Sequence, residues 1–108
     1  MIYISGRLDV DRVKHYEGQF MGAEEYLQEF SRMYTESKDN ILNLYTVYNS
    51  IPHIDELDMA DEVELRLDMV RKCDRLYLLQ GWELSDLCRL EAIYAKYIHK
   101  RITYSKKY

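Results

Sequence analysis

The apolar positions of this chain follow two rhythms: short dense runs, and longer stretches where large hydrophobic residues return every three or four positions. A run of four to eight apolar residues between turn formers reads as a buried strand, and the wider spacing reads as a helix with one face on a core. Met1 to Ser5, MIYIS, is the first strand candidate, ended by Gly6. Leu8 to Tyr16 reads as a loop running into a helix, whose core face is Phe20, Ala23, Tyr26, Leu27 and Phe30 and which extends to about Tyr34. Ser37-Lys38-Asp39-Asn40 is a polar break. Ile41 to Tyr48, ILNLYTVY, predicts a second strand, followed by a loop holding the single proline, Pro52. From Asp55 onward, acids suit the N-terminus of a helix that packs through Met59, Val63, Leu67 and Val70 and ends at Asp74. Arg75 to Leu79 predicts the third strand, broken by Gly81. Ser85 can start the next helix, which reaches about His99 with a stripe of Leu84, Leu87, Cys88, Leu90, Tyr94, Ala95 and Ile98. Arg101 to Tyr104 predicts a last strand.

Strands alternating with helices imply a parallel sheet with right-handed crossovers. The expected fold is one α/β domain over residues 1–108: a small doubly wound sheet, flavodoxin-like or Rossmann-like, of about four parallel strands in the order 2-1-3-4, with helices on both faces. Ligands of such sheets bind at the carboxyl ends of the strands, beside the point where the order reverses. That rule brings Ser5, Gly6 and Arg7 together with Gln80, Gly81 and Trp82 at one cleft. The N-terminus of the last helix opens into the same place, offering backbone N–H groups to a phosphate or carboxylate.

Glu91 stands inside the apolar stripe of that helix, four residues after Leu87 and four before Ala95. A carboxylate turned toward a core is costly unless it is paired or solvated in a cleft, so its placement needs a cause. Tyr3 on the first strand can donate a hydrogen bond to it, or can serve only as a sheet-packing aromatic. Asp68 and Glu91 together offer the two carboxylates that glycosidic chemistry uses. Asp68 belongs equally well to the solvated acidic face of its helix. Trp82 can stack on a ring of a ligand or anchor its own loop.

Composition narrows these choices. The chain is 47 % hydrophobic and 31 % charged with four glycines, which excludes disordered and low-complexity classes. A domain of this size buries roughly 60–70 % of its unfolded surface, enough for one modest core. There is no window of 18 consecutive apolar residues, and MIYISGRLDV lacks a basic region followed by an apolar one; the expectation is a cytoplasmic protein without a membrane partner. The net charge of −4 is uneven, with acids crowded between Asp55 and Asp68 and a basic end at Lys96, Lys100, Arg101, Lys106 and Lys107. This balance argues against nucleic acid as a partner. Cys73 and Cys88 lie in apolar surroundings and read as buried structural thiols. GxGxxG, GxxxxGK, CxxC and HExxH are absent, and His15, His53 and His99 are scattered, so neither a cofactor nor a metal is expected. Ser5 and Ser85 lack an evident histidine partner, which leaves a serine hydrolase without support.

Tyr3 to Gly6, Cys73 to Ser85 (CDRLYLLQGWELS) and the later Glu91 resemble the domain of unknown function 4406 family, grouped with the nucleoside 2-deoxyribosyltransferase-like proteins. The pattern there is Y-I-[SA]-G-P, then F-x-x-A-E, D-x-x-x-L-x-x-C-D, G-W-x-x-S-x-G-A and a glutamate. This chain supplies Tyr3 to Gly6, Phe20 to Glu24, Asp68 with Cys73-Asp74, Gly81-Trp82, Ser85 and Glu91. Arg7 stands in place of the proline, and Asp86-Leu87-Cys88 in place of x-Gly-Ala. The resemblance implies Glu91 as nucleophile on an anomeric carbon, Asp68 in proton transfer near the base and Tyr3 as the group orienting the nucleophile. It places Ser85 near the sugar or a phosphate, and a homodimer or higher homo-oligomer around the site. Three readings follow: an enzyme cleaving or transferring at an N-glycosidic bond, a module that binds a nucleoside- or nucleotide-like small molecule without turnover, and an oligomeric interaction protein whose cleft is vestigial. The eleven tyrosines suit contacts of the third kind.

Overall fold

The structure is a computed structural model that describes residues 1–34 and 41–105, with side chains for 1–29 and 41–105. The polar break at Ser37 to Asn40, the core role of the Phe30 side chain and the tail residues Lys106 and Lys107 lie outside the described residues. Four strands, β1 (Ile2–Ser5), β2 (Ile41–Asn43), β3 (Arg75–Leu78) and β4 (Arg101–Tyr104), alternate with helices α1 (Glu17–Tyr34), α2 (Leu44–Ser50), α3 (Met59–Lys72) and α4 (Asp86–Tyr97). Short 3-10 turns precede α1, α3 and α4. All pairings are parallel and the order is β2-β1-β3-β4, as the alternation of elements predicts. Tyr3 registers with Leu42 on one side and Leu76 on the other, and Leu76 with Ile102.

The central strands are buried on both faces, which is why their sequences are nearly continuous apolar runs. Right-handed crossovers set α1 on one face and α3 and α4 on the other, and the extensive packing of α3 on α4 agrees with this. The sheet order reverses at β1. There Gly6 brings the end of β1 against β3: a Cβ at that position would lie 3.0 Å from Leu79 Cβ.

Two elements differ from the sequence reading. The run Ile41 to Tyr48 is not one strand but three residues of β2 followed directly by α2. Asn43 makes the break. Its side-chain oxygen accepts from the Tyr45 backbone N–H at 3.0 Å as an N-cap, while its amide donates to the Phe20 carbonyl at 3.2 Å and ties the strand end to α1. Beyond it, Leu44, Tyr45 and Tyr48 are buried and Thr46 is exposed, a helical spacing hidden inside an apolar run.

The second difference concerns α3, which starts at Met59 under an Asp58 cap rather than at Asp55. Its inward side is Glu62, Arg66, Met69 and Val70, about one residue round from the expected stripe, and Met59 is 74 % exposed. Val63 and Leu67 are half-buried. The helix turns two charged side chains inward because each finds partners there, whereas a purely apolar stripe would have left those partners on the neighbouring elements unpaired. In α4 the buried set is Cys88, Glu91, Ala92 and Ala95, while Leu84 lies in the preceding turn and is exposed.

Candidate functional site

Alternation along β1 sends Tyr3 and Ser5 to the same side of the sheet, where α4 presents Glu91. The carboxylate is completely buried, and its oxygens are taken up as follows. Oε2 accepts from the Tyr3 hydroxyl at 2.5 Å, and Oε1 accepts from Ser5 Oγ at 2.6 Å and from Arg66 Nη1 at 3.0 Å. Arg66 is itself only 1 % exposed. Its Nε donates to the Tyr48 hydroxyl at 2.9 Å, Nη2 to the Leu8 carbonyl at 3.3 Å, and Nη1 also to Cys88 Sγ at 3.6 Å. The Tyr48 hydroxyl in turn donates a hydrogen bond to Glu62 Oε2 at 2.6 Å. One guanidinium therefore joins α2, α3, α4 and the loop after β1.

Burial pushes the Glu91 pKa upward, and Arg66, Ser5 and Tyr3 oppose it; the balance stays above the ordinary glutamate value. The Tyr3 hydroxyl is held well above an ordinary phenol, first by burial and then by the adjacent Glu91 carboxylate. For Arg66, burial pulls downward but Glu91 and the two tyrosines more than offset it. Burial also pushes the Tyr48 hydroxyl and the Cys88 thiol up, so neither offers a ready anion.

A groove of about 610 Å³ opens at the carboxyl end of the sheet. Its walls are the loop from Arg7 to Arg12, the α3 side chains Met59, Glu62 and Arg66, and residues Leu84 to Leu87 at the start of α4. Arg66 thus has the groove on one side and Glu91 on the other. Leu87, one helical turn before Glu91, forms part of the wall.

The structure brings together Tyr3, Ser5 and Glu91, and sets Arg7 and Ser85 on the groove wall. Ser85 caps α4 by accepting from the Cys88 N–H at 3.3 Å. Gly6 packs behind the wall against Leu79, and Gly81 turns the chain with a φ of 92°, a conformation that glycine adopts without a Cβ penalty. Trp82 stacks on Tyr104 of β4 with centroids 5.2 Å apart, so it anchors its loop. Gln80 is fixed through its carbonyl, which accepts from Gln19 at 2.9 Å. Asp68 does not join this group: it lies on the outer side of α3, 44 % exposed, bonded to Lys72 at 2.9 Å and near Arg71 at 3.7 Å. Among the described residues no group of three His, Cys, Asp or Glu is arranged to hold a metal ion, and no helix is long and apolar enough to cross a membrane.

Arg66, Glu62 and Tyr48 escaped the sequence reading. The available signal was spacing, since Glu62 and Arg66 stand four residues apart, and Arg66 four before Val70, on one face of α3.

Removing one member of a buried ion pair leaves a stranded charge, whereas removing both does not. Arg66→Met should lower unfolding free energy by about 3–5 kcal/mol, and adding Glu91→Gln should recover at least about half of that, measured by urea denaturation. Recovery of nothing would show that the pair carries no coupling.

Tyr3 and Tyr48 both have folded-state pKa values above the usual 10.0, so their contribution is complete below that pH and is lost as pH rises through the folded values. Stability should fall above about pH 10. Tyr48→Phe should make that fall shallower while costing about 1–3 kcal/mol at neutral pH, because Glu62 and Arg66 lose a partner.

No curated protein and no solved structure matches the chain. A family profile does, over residues 1–104, nearly the whole length. With the sheet order, the Tyr3 and Ser5 contacts to Glu91 and that match in hand, the chain belongs to the family described as Domain of unknown function (DUF4406).

Proposed function

We propose that the groove beside β1 and α4 binds a nucleoside- or nucleotide-like small molecule and that the chain acts as a binding module without turnover. The buried Arg66–Glu91 ion pair carries this reading. A nucleophile needs an open approach of about 3–3.5 Å to the atom it attacks. Glu91 has three donors on its two oxygens and no exposed surface. The spacing of the family pattern adds to this. In D-x-x-x-L-x-x-C-D the aspartate stands seven residues before the cysteine, and seven before Cys73 is Arg66; Asp68 is out of register by two. A cation thus replaces the carboxylate that the resemblance assigned to proton transfer. Leu87 on the wall occupies the place where the pattern has glycine.

The N-glycosidic reading keeps one specific support, the Tyr3 hydroxyl at 2.5 Å from Glu91, which is the orienting contact that the resemblance implies. In that reading Arg66 withdraws and Glu91 attacks the anomeric carbon as the N-glycosidic bond breaks, the base leaving with the bonding electrons and taking a proton. The homodimer expected from the resemblance would use the outer side of α4, where Leu90, Ile93 and Tyr97 remain exposed at helical spacing.

Calorimetry with nucleosides, nucleotides and ADP-ribose-like compounds should show saturable binding, and chromatography over hours should show no free base. Base release by the wild type that disappears in Glu91→Gln would replace this proposal with the glycosidic one. Light scattering should report a dimer at micromolar concentration; a monomer there would remove the α4 contact.

A further inference from the structure

We propose that Glu62 is the ligand-recognising carboxylate of the groove and that the groove selects an uncharged ligand with hydroxyl or amino donors over an anionic one. The inference rests on the binding reading above and specifies its ligand class. Glu62 is only 8 % exposed, yet it lines the groove. One of its oxygens accepts from Tyr48, and among the described residues no donor reaches the other. An unpaired carboxylate oxygen on a residue that lines a groove is open to a donor brought by a ligand, and charge-assisted bonds of this kind are the stronger ones.

The charges around it point the same way. Of the three guanidiniums on the wall, Arg66 is spent on Glu91, and Arg7 and Arg12 share Asp9 at 3.7 and 2.9 Å. Asp86, at the first turn of α4 where a helix N-terminus would otherwise attract an anion, is paired with Arg89. What remains is three carboxylates, Asp9, Asp11 and Glu62, against two guanidiniums, Arg7 and Arg12. A phosphate entering this groove meets more carboxylates than guanidiniums, and both Arg7 and Arg12 already face Asp9. A ribose hydroxyl or a base amino group meets Glu62. Rejection of the wrong ligand arises from repulsion as much as from the preferred contact.

The test is calorimetric titration of the full chain with adenosine, guanosine, cytidine and uridine, each beside its own 5′-monophosphate, at low salt. At least one nucleoside should bind about tenfold more tightly than its monophosphate, a gap that narrows as salt screens the groove. Glu62→Gln keeps an acceptor for Tyr48 but replaces the free oxygen with a donor, and should weaken nucleoside binding about tenfold. Asp11→Asn, at an exposed position away from Tyr48, should reduce the penalty against the monophosphate while leaving the melting temperature unchanged. A monophosphate that binds as tightly as its nucleoside, or a folded Glu62→Gln protein with unaltered nucleoside affinity, overturns the assignment of Glu62 and leaves the binding reading standing. Binding by neither class overturns both.

Discussion

Everything near the carboxyl end of this sheet depends on how one buried guanidinium is satisfied. Arg66 gives up its hydration to lie between α2, α3, α4 and the β1 loop, and four hydrogen bonds stand in for the lost water. Replacing such a pair with apolar residues of like volume is often neutral for stability. The pair is therefore better understood as a device of arrangement than as a source of net free energy. It fixes which face of α3 turns inward, and with that it fixes the position of Glu62 on the groove wall.

The sheet supplies the other half of this arrangement. Parallel pairing holds β1 between β2 and β3, so Tyr3 and Ser5 sit on the most constrained strand and point with a two-residue period at one carboxylate. Gly6 lets β1 finish close against Leu79, and the chain then leaves as the loop that walls the groove. On the far side, Trp82 against Tyr104 holds the start of α4 to the edge strand. The groove is thus built from loops, but each is pinned by an element whose place the sheet determines.

Strand order and the closeness of Tyr3 to Glu91 were legible in the chain because each rests on a short-range rule: alternation of elements for the first, a period of two on a strand against a helical stripe for the second. Three features were not. Asn43 ends a strand inside an unbroken apolar run, and its two contacts, a cap at Tyr45 and a tether to Phe20, belong to different ranges of sequence. Arg66 sits in an acid-rich helix where charge ordinarily means solvent, and nothing local says that Tyr48, Leu8 and Glu91 converge there. Asp68 looked like a partner for Glu91 on residue type, yet two positions along a helix is roughly 200°, so a slip of register carried it to the opposite side.

The mutual dependence of Arg66 and Glu91 bears on how this chain can change over generations. Losing the cation alone leaves an uncompensated buried carboxylate, and losing the carboxylate alone leaves an uncompensated buried cation. Placing an acid at position 66 while Glu91 remains would set two like charges face to face in a site closed to water. Each single replacement strands a buried charge, so the two residues depend on each other, and only a paired substitution avoids that cost.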